Sequence, residues 1–337
     1  MMENGNQIRK NLRSLTPHEK KIFVEALLKL KKDGRYDEYV HWHHAVMTPT
    51  VLSYEPHDPD YRNGAHRGTS FLPWHRAFLS SVEKDLQQIN PKITIPYWDW
   101  TQDSELEDPK TAIIWSDDFM GGNGVETDQW RVASGPFAYK NGNWNIPVGH
   151  DGPALRRNFA STVNSLPTKG DLELTMNEYL YDTPNYNSSP FTIGFRNRLE
   201  GWITKRGDYR VATTSSQMHN RVHLWVGGSM EPMTSPNDPV FFLHHCFVDK
   251  IWADWQEQKM KDFNNGDAPP PPHYAPLIDG PPGHNLKDIM KPFNVTVDST
   301  FDISALGYSY EKTPEHMVFI KRIEETRRRT RSPFWAD

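Results

Sequence analysis

The sequence predicts a mainly α fold with long irregular loops and a few short strands. Three observations carry this expectation. Several stretches repeat apolar residues at helical spacing, and most of these stripes contain a histidine. The segment from about 101 to 190 is rich in Gly, Pro, Asn and Asp, which reads as loops with short strands or helical turns. The 337 residues include 27 prolines, enough for long irregular connections, and 12 tryptophans, enough to fill a core with flat rings.

Taken in order, "LTPHEKKIFVEALLKLKK" (15–32) is an amphipathic helix opened by Thr16 and Pro17. "RYDEYVHWHHAVM" (35–47) sets Tyr36, Val40, His43 and Met47 on one face. A third helix begins at Pro73, with His75, Leu79, Val82, Leu86 and Ile89 as its inward stripe. Helical pattern returns at "GFRNRLEGW" (194–202) and again around His219, where Ser215 or Ser216 is the expected cap and Gly227 the expected end in a left-handed turn. The next helix follows "SPNDP", with Asp238 as cap and Pro239 at its first position. Its buried stripe is Phe241, His245, Val248, Trp252 and Trp255, although His244 fits nearly as well with 248, 251 and 255. Beyond 262, "PPPPHYAPLIDGPPGH" reads as an extended surface segment. Residues 1–310 form the expected domain and 311–337 a C-terminal tail, either solvated or docked through Phe334 and Trp335 at an aromatic groove.

Composition narrows the function classes. A net charge of -5 and a pI near 6.3 give no basic field for nucleic acid. The single Cys246 excludes an intrachain disulfide and a thiolate cluster. No run approaches a transmembrane length, and the N-terminal residues lack the apolar core of a secretory signal. The expected setting is therefore cytoplasmic, or exported alongside a carrier protein, with no membrane partner.

A lone histidine on an apolar stripe is ordinarily a core residue with a satisfied ring. Repetition of the pattern across several helices changes the balance, because buried imidazoles need partners and a shared metal satisfies many at once. His219 and His223, four apart in "HNRVH", share a helical face. Imidazole ligands suit copper, zinc, iron or nickel. No "HExxH" is present, and the spacing is not that of Glu-x-x-His di-iron bundles.

"GAHRGTSFLPWHRAFL", "IPYWDW", "HNRVHLWVGG" and "SPNDPVFFLHH", with "VDKIW" following, resemble the signature blocks of tyrosinases, among the type 3 copper proteins. The likeness runs in order from about residue 36 to about 310 and is greatest to bacterial tyrosinases. It implies a four-helix bundle holding a dicopper centre, with O2 as co-substrate. By position, it makes His43, His66 and His75 the ligands of one copper, and His219, His223 and His245 those of the other. Asp249, one turn after His245, is expected to accept its other ring N–H. His41, His44, His57 and His150 gain no role.

The resemblance also implies an ortho-hydroxylation of monophenols followed by oxidation of o-diphenols to o-quinones. A catechol or o-aminophenol oxidase without monophenolase activity is the alternative, and a haemocyanin-like oxygen carrier a remote one. Asn220 matches the asparagine that, with a glutamate, orients a water as base. Glu200 matches that glutamate by motif, with "ITKRGDYRVATTSSQ" intervening. Where many relatives have a cysteine cross-linked to the second histidine, this chain has Gly64, so packing alone is expected to hold His66. Pro232, or Met233, stands where relatives shield the second copper. The ring faces of His223 and His245 are the expected stacking surface for a small phenolic substrate. A copper-delivery or carrier protein and a second copy of the chain, as a homodimer, complete the candidate partners.

Overall fold

The computed structural model describes residues 2–3, 6–47, 63–149, 152–203, 216–264 and 274–330. Among them are nine helices: α1 (Pro17–Lys32), α2 (Arg35–Met47), α3 (Phe71–Ile89), α4 (Trp100–Asp103), α5 (Lys169–Asn177), α6 (Phe195–Glu200), α7 (Met218–Val226), α8 (Val240–Asn264) and α9 (Pro314–Thr330). Helices α2, α3, α7 and α8 form the expected bundle. In it α3 and α7 pack on α8, and the rings of Tyr39 on α2 and Phe78 on α3 meet edge to face.

Local chemistry explains where the helices begin. Thr16 caps α1 in a reciprocal capping box with Glu19, an arrangement worth about 1 kcal/mol. The Asp238 carboxylate accepts the Val240 N–H at 3.0 Å and so opens α8 one residue later than expected. The α3 start moves the other way, to Phe71. Ser216 does not cap α7, whose N-cap is Gln217 without a side-chain hydrogen bond, and Ser215 lies outside the described residues. The end of α7 follows expectation, with Gly227 at φ +68°, where an added Cβ would lie 2.7 Å from the Asn158 carbonyl oxygen.

The loops between these helices are packed rather than loose. Trp98, Trp100, Trp115, Trp144 and Trp225 are buried with Phe159 and Phe137 around the bundle. Strand Asn6–Arg9 pairs in parallel with Tyr308–Tyr310, which ties the start of the chain to the end of the predicted domain.

Two segments differ from expectation. Within the stretch read as extended surface, Tyr274 and His284 are buried. The composition is that of a loop, but Thr69 Oγ1 and Tyr274 Oη both donate to the His284 carbonyl, pinning this segment to the bundle. Past residue 310 the chain is not a free tail, because α9 packs against α5 and buries Ile323 completely. His316 Nε2 on α9 lies 3.3 Å from the Asp254 carboxylate of α8, which also pairs with Lys250 at 2.7 Å. Phe334 and Trp335 lie outside the described residues.

Candidate metal centre

The spacing in "HNRVH" puts His219 and His223 one turn apart on the buried face of α7, and α8 brings His245 against them. The three Nε2 atoms converge: His219 and His245 at 3.2 Å, His223 and His219 at 3.1 Å, His223 and His245 at 3.4 Å. A tetrahedral ion with bonds of about 2.05 Å to nitrogen spaces its ligand atoms about 3.3 Å apart. The triangle therefore has the size of a coordination face. The opposite ring nitrogens are held by oxygen. His223 Nδ1–H donates to the Met230 carbonyl at 2.6 Å, and His219 Nδ1 lies 3.0 Å from Asn220 Oδ1 and 3.3 Å from the Glu200 carbonyl. Such bonds fix the tautomer, leaving the Nε2 lone pair for a metal.

A second cluster faces the first. His43 Nδ1–H donates to the Met233 carbonyl at 2.7 Å, and His75 Nδ1–H to the Phe71 carbonyl at 2.8 Å. The Nε2 atoms of both rings are then buried without a hydrogen-bond partner. Buried orphaned acceptors are costly, and a cation shared with His66 would relieve both. His66 comes from the loop before α3, its ring centroid 5.2 Å from that of His43 and 4.7 Å from that of His75. The rings of His75 and His245 stack at 4.2 Å and join the two clusters. The donor sets His43, His66, His75 and His219, His223, His245, the second with His244 beside it, thus fit two metal ions of the borderline class, and the orphaned Nε2 atoms of His43 and His75 agree with that fit.

Burial keeps these rings neutral, as metal ligands must be. It lowers His43 to about 3 and His223 to about 4, and drives His66, His75, His219, His244 and His245 well below the ordinary histidine value. Repulsion from neighbouring imidazoles adds to the effect on His66, His75, His219 and His245. Solvent reaches the centre at one ring of each cluster, His66 and His223, each 8% exposed.

His244 and His245 both stand beside His219 and His223, with a ring nitrogen of each of the four within 4.8 Å of the others; His245 Nε2 lies 3.2 Å from His219 Nε2, and the His244 ring stacks on His219 at 5.0 Å. Asp249 does not hold His245, whose Nδ1 is buried without a partner. Both Asp249 oxygens are instead claimed by Arg9, Arg76, Tyr308 and Tyr310. Burial alone would raise the Asp249 pKa, but Arg76 and Arg9 outweigh it and hold the carboxyl below its usual range. Helical spacing placed this residue near His245, and two guanidiniums from distant segments outcompeted the imidazole. His245 is fully buried against His75 and Phe241, whereas the His223 ring keeps 8% of its surface exposed.

Glu200 lies at the centre despite the long insertion after it. Gln217 N–H donates to the Gly201 carbonyl at 3.1 Å, so the chain returns to the point it left. Gly201 rests against Asn220, where an added Cβ would lie 3.0 Å from the Asn220 Cβ. The Glu200 carboxylate is buried and engaged at both oxygens: Oε1 accepts the Arg67 N–H at 2.6 Å, and Oε2 accepts from Arg196 at 3.0 Å. Met233 contributes its carbonyl to His43 and leaves its side chain exposed, whereas the Pro232 carbonyl accepts the Ser235 N–H in the turn before α8. His41 and His44 are exposed, and His57 and His150 lie outside the described residues.

Packing alone does not hold His66. Asn63 Oδ1 accepts the N–H groups of Ala65 and His66 at 3.1 and 2.8 Å, and Glu200 takes the next one, from Arg67. Sequence reasoning missed Asn63, Arg196 and the Met230 and Met233 carbonyls, since their roles depend on backbone geometry far from the histidine motifs. An Asn three residues before a candidate ligand was the one local signal for the loop.

A family model for the common central domain of tyrosinase matches residues 33–258. A tyrosinase of Streptomyces glaucescens is 43% identical over 290 residues, covering 86% of this chain and 93% of the relative. A tyrosinase of Streptomyces antibioticus is 40% identical over 305 residues, covering 90% of this chain and 99% of the relative. Among solved structures, a polyphenol oxidase from Thermothelomyces thermophila superposes with a TM-score of 0.65 at 20% identity, covering 91% of this chain and 89% of that one, a likeness of fold.

Proposed function

The chain belongs to the tyrosinase family, and on that premise we propose that it is a copper-dependent phenol oxidase that ortho-hydroxylates monophenols and oxidises o-diphenols to o-quinones. The observation that carries the reading is the pair of facing imidazole clusters, with three Nε2 atoms of one converged at metal-ligand spacing. His43, His66 and His75 would hold one copper ion, and His219, His223 and His245 the other. Two copper ions with O2 supply the oxidising equivalents and the oxygen atom placed on the ring.

The chain's own residues then have three tasks. A phenolic substrate enters at the solvent-reached edge between His66 and His223, with the His223 face as its stacking surface. The buried aromatic surround of Phe71, Trp74 and Phe241 keeps the reacting region dry. The phenol proton, lost in water only near pH ~10, needs an acceptor. Glu200, acting with Asn220 through a water, is the acceptor the family resemblance favours, and the Glu200 backbone carbonyl and Asn220 Oδ1 both border His219 Nδ1. Arg196 donates to Glu200 Oε2 at 3.0 Å and so fixes the direction of the carboxylate.

The engagement of both Glu200 oxygens favours a second reading, a catechol oxidase without monophenolase activity. Copper-loaded protein assayed on a monophenol and on its catechol separates the two. Oxidation of both is expected, and Glu200→Gln should depress the monophenol rate by about 10²-fold or more while sparing the catechol rate. Oxidation of the catechol alone by the unmodified protein would establish the second reading.

A further inference from the structure

We infer that His284 is a positioning residue for the His66 loop, doing by hydrogen bonds and contact what no covalent link does at Gly64. The inference rests on the reading of His43, His66 and His75 as a copper site. His284 is far from that site in sequence and is buried in the segment 274–286 that folds back over the start of α3. Its Nδ1 lies 2.9 Å from Ser70 Oγ, and Ser70 Oγ donates in turn to the Gly64 carbonyl at 2.7 Å. Nδ1 also accepts the Ser70 N–H at 3.3 Å, so the ring holds the Ser70 backbone while the Ser70 hydroxyl holds the Gly64 carbonyl, a chain that closes the loop bearing His66 across its own ends. The His284 ring also abuts Gly68, where an added Cβ would stand 2.5 Å from Cε1, so the ring forms a wall of the same loop. The His284 backbone is fixed independently, by Thr69 Oγ1 at 3.0 Å and Tyr274 Oη at 2.8 Å.

These contacts have one target. His66 is the only one of the six candidate ligands carried by a loop rather than a helix, so its ring direction depends on where residues 63–70 are held. Asn63 and Glu200 fix the middle of that loop, and His284 with Ser70 fixes its closure. A partner that orients a ligand in this way typically changes metal affinity by 10–100-fold when removed.

Copper titration of the metal-free full-length chain, with circular dichroism as a check on folding, tests the inference. The wild type is expected to take up two ions. His284→Ala should remain folded, keep one ion as tightly as the wild type and bind the other at least ~10-fold more weakly. In a His223→Ala background, where only the first cluster is intact, His284→Ala should weaken the remaining ion by the same factor. His284→Asn, whose amide oxygen can stand near the position of Nδ1 and accept the Ser70 N–H, should recover most of the affinity, a rescue that a purely space-filling role would not produce. Ser70→Ala breaks the same chain at its middle and should reproduce the loss even if His284→Ala fails to fold. Unchanged copper affinity in both His284→Ala and Ser70→Ala, or no rescue by Asn over Ala, overturns the inference. A wild-type chain that takes up no second ion overturns the site reading beneath it.

Discussion

The two imidazole clusters reach similar geometry by different routes. His219, His223 and His245 all stand on helices, and two of them are placed by a single turn of α7. The first cluster draws His43 and His75 from separate helices and His66 from a loop. Helix periodicity aims a side chain at almost no further cost once the helix is buried. A loop residue has no such guide, and here it needs Asn63, Glu200, Ser70 and His284, residues spread over more than two hundred positions. The helical cluster should therefore tolerate change in its surroundings, while the loop-bearing cluster should be sensitive to distant substitutions.

The harshest way to break the comparison is to remove a ligand from each side. His245→Ala and His66→Ala should both reduce catechol oxidation to background, since both ions serve one reaction. Metal analysis then separates them: each variant should retain one copper ion, held by the cluster left intact. Loss of both ions from His66→Ala would mean that the helical cluster depends on its neighbour.

Acid should act on both clusters alike. The folded pKa values of these histidines lie below the unfolded value of about 6.5, so in the metal-free protein the unfolded state binds more protons over that interval. Stability is then fully present above pH ~6.5 and declines as pH falls below it, by about 1.4 kcal/mol per pH unit for each such ring. Denaturant unfolding of the metal-free chain between pH 7.5 and 5 should show this slope, and copper should suppress it. A flat profile would contradict burial of the rings as neutral groups.

A smaller effect distinguishes fold from ligation near the second cluster. Asp249→Ala leaves Arg9 and Arg76 buried without their carboxylate and should cost about 3–5 kcal/mol of unfolding free energy. Copper affinity of the molecules that remain folded should not change, because no histidine is held by this residue. A selective loss of one copper ion would restore Asp249 to the role that its spacing suggested.

Much of this was legible in the sequence. The stripes of α2, α3, α7 and α8 located four of the six candidate ligands and narrowed a fifth to His244 or His245, and α1 and α2 began and ended where their capping residues and periodicity indicated. The motif match placed His66, in a segment with no periodicity of its own. What failed was reasoning at short range about partners. One turn of helix put Asp249 beside His245, but the carboxylate turned to two arginines. The proline-rich composition of 274–286 suggested surface, although His284 and Tyr274 are buried, and the charged C-terminal segment suggested a tail, although Ile323 is buried.

The sequence by itself determined which helices form and which faces they bury, because helix start signals and apolar period act within a few residues of one another. It also determined that the metal ligands would be imidazoles, since it offers a single thiol and repeated histidines on buried stripes. Only the tertiary structure decided how the loop histidine is aimed and whom the buried charges choose. Those outcomes come from competition among groups brought together from distant segments. In a low-dielectric interior, the strongest hydrogen-bond and ion-pair partners prevail over the nearest ones in sequence.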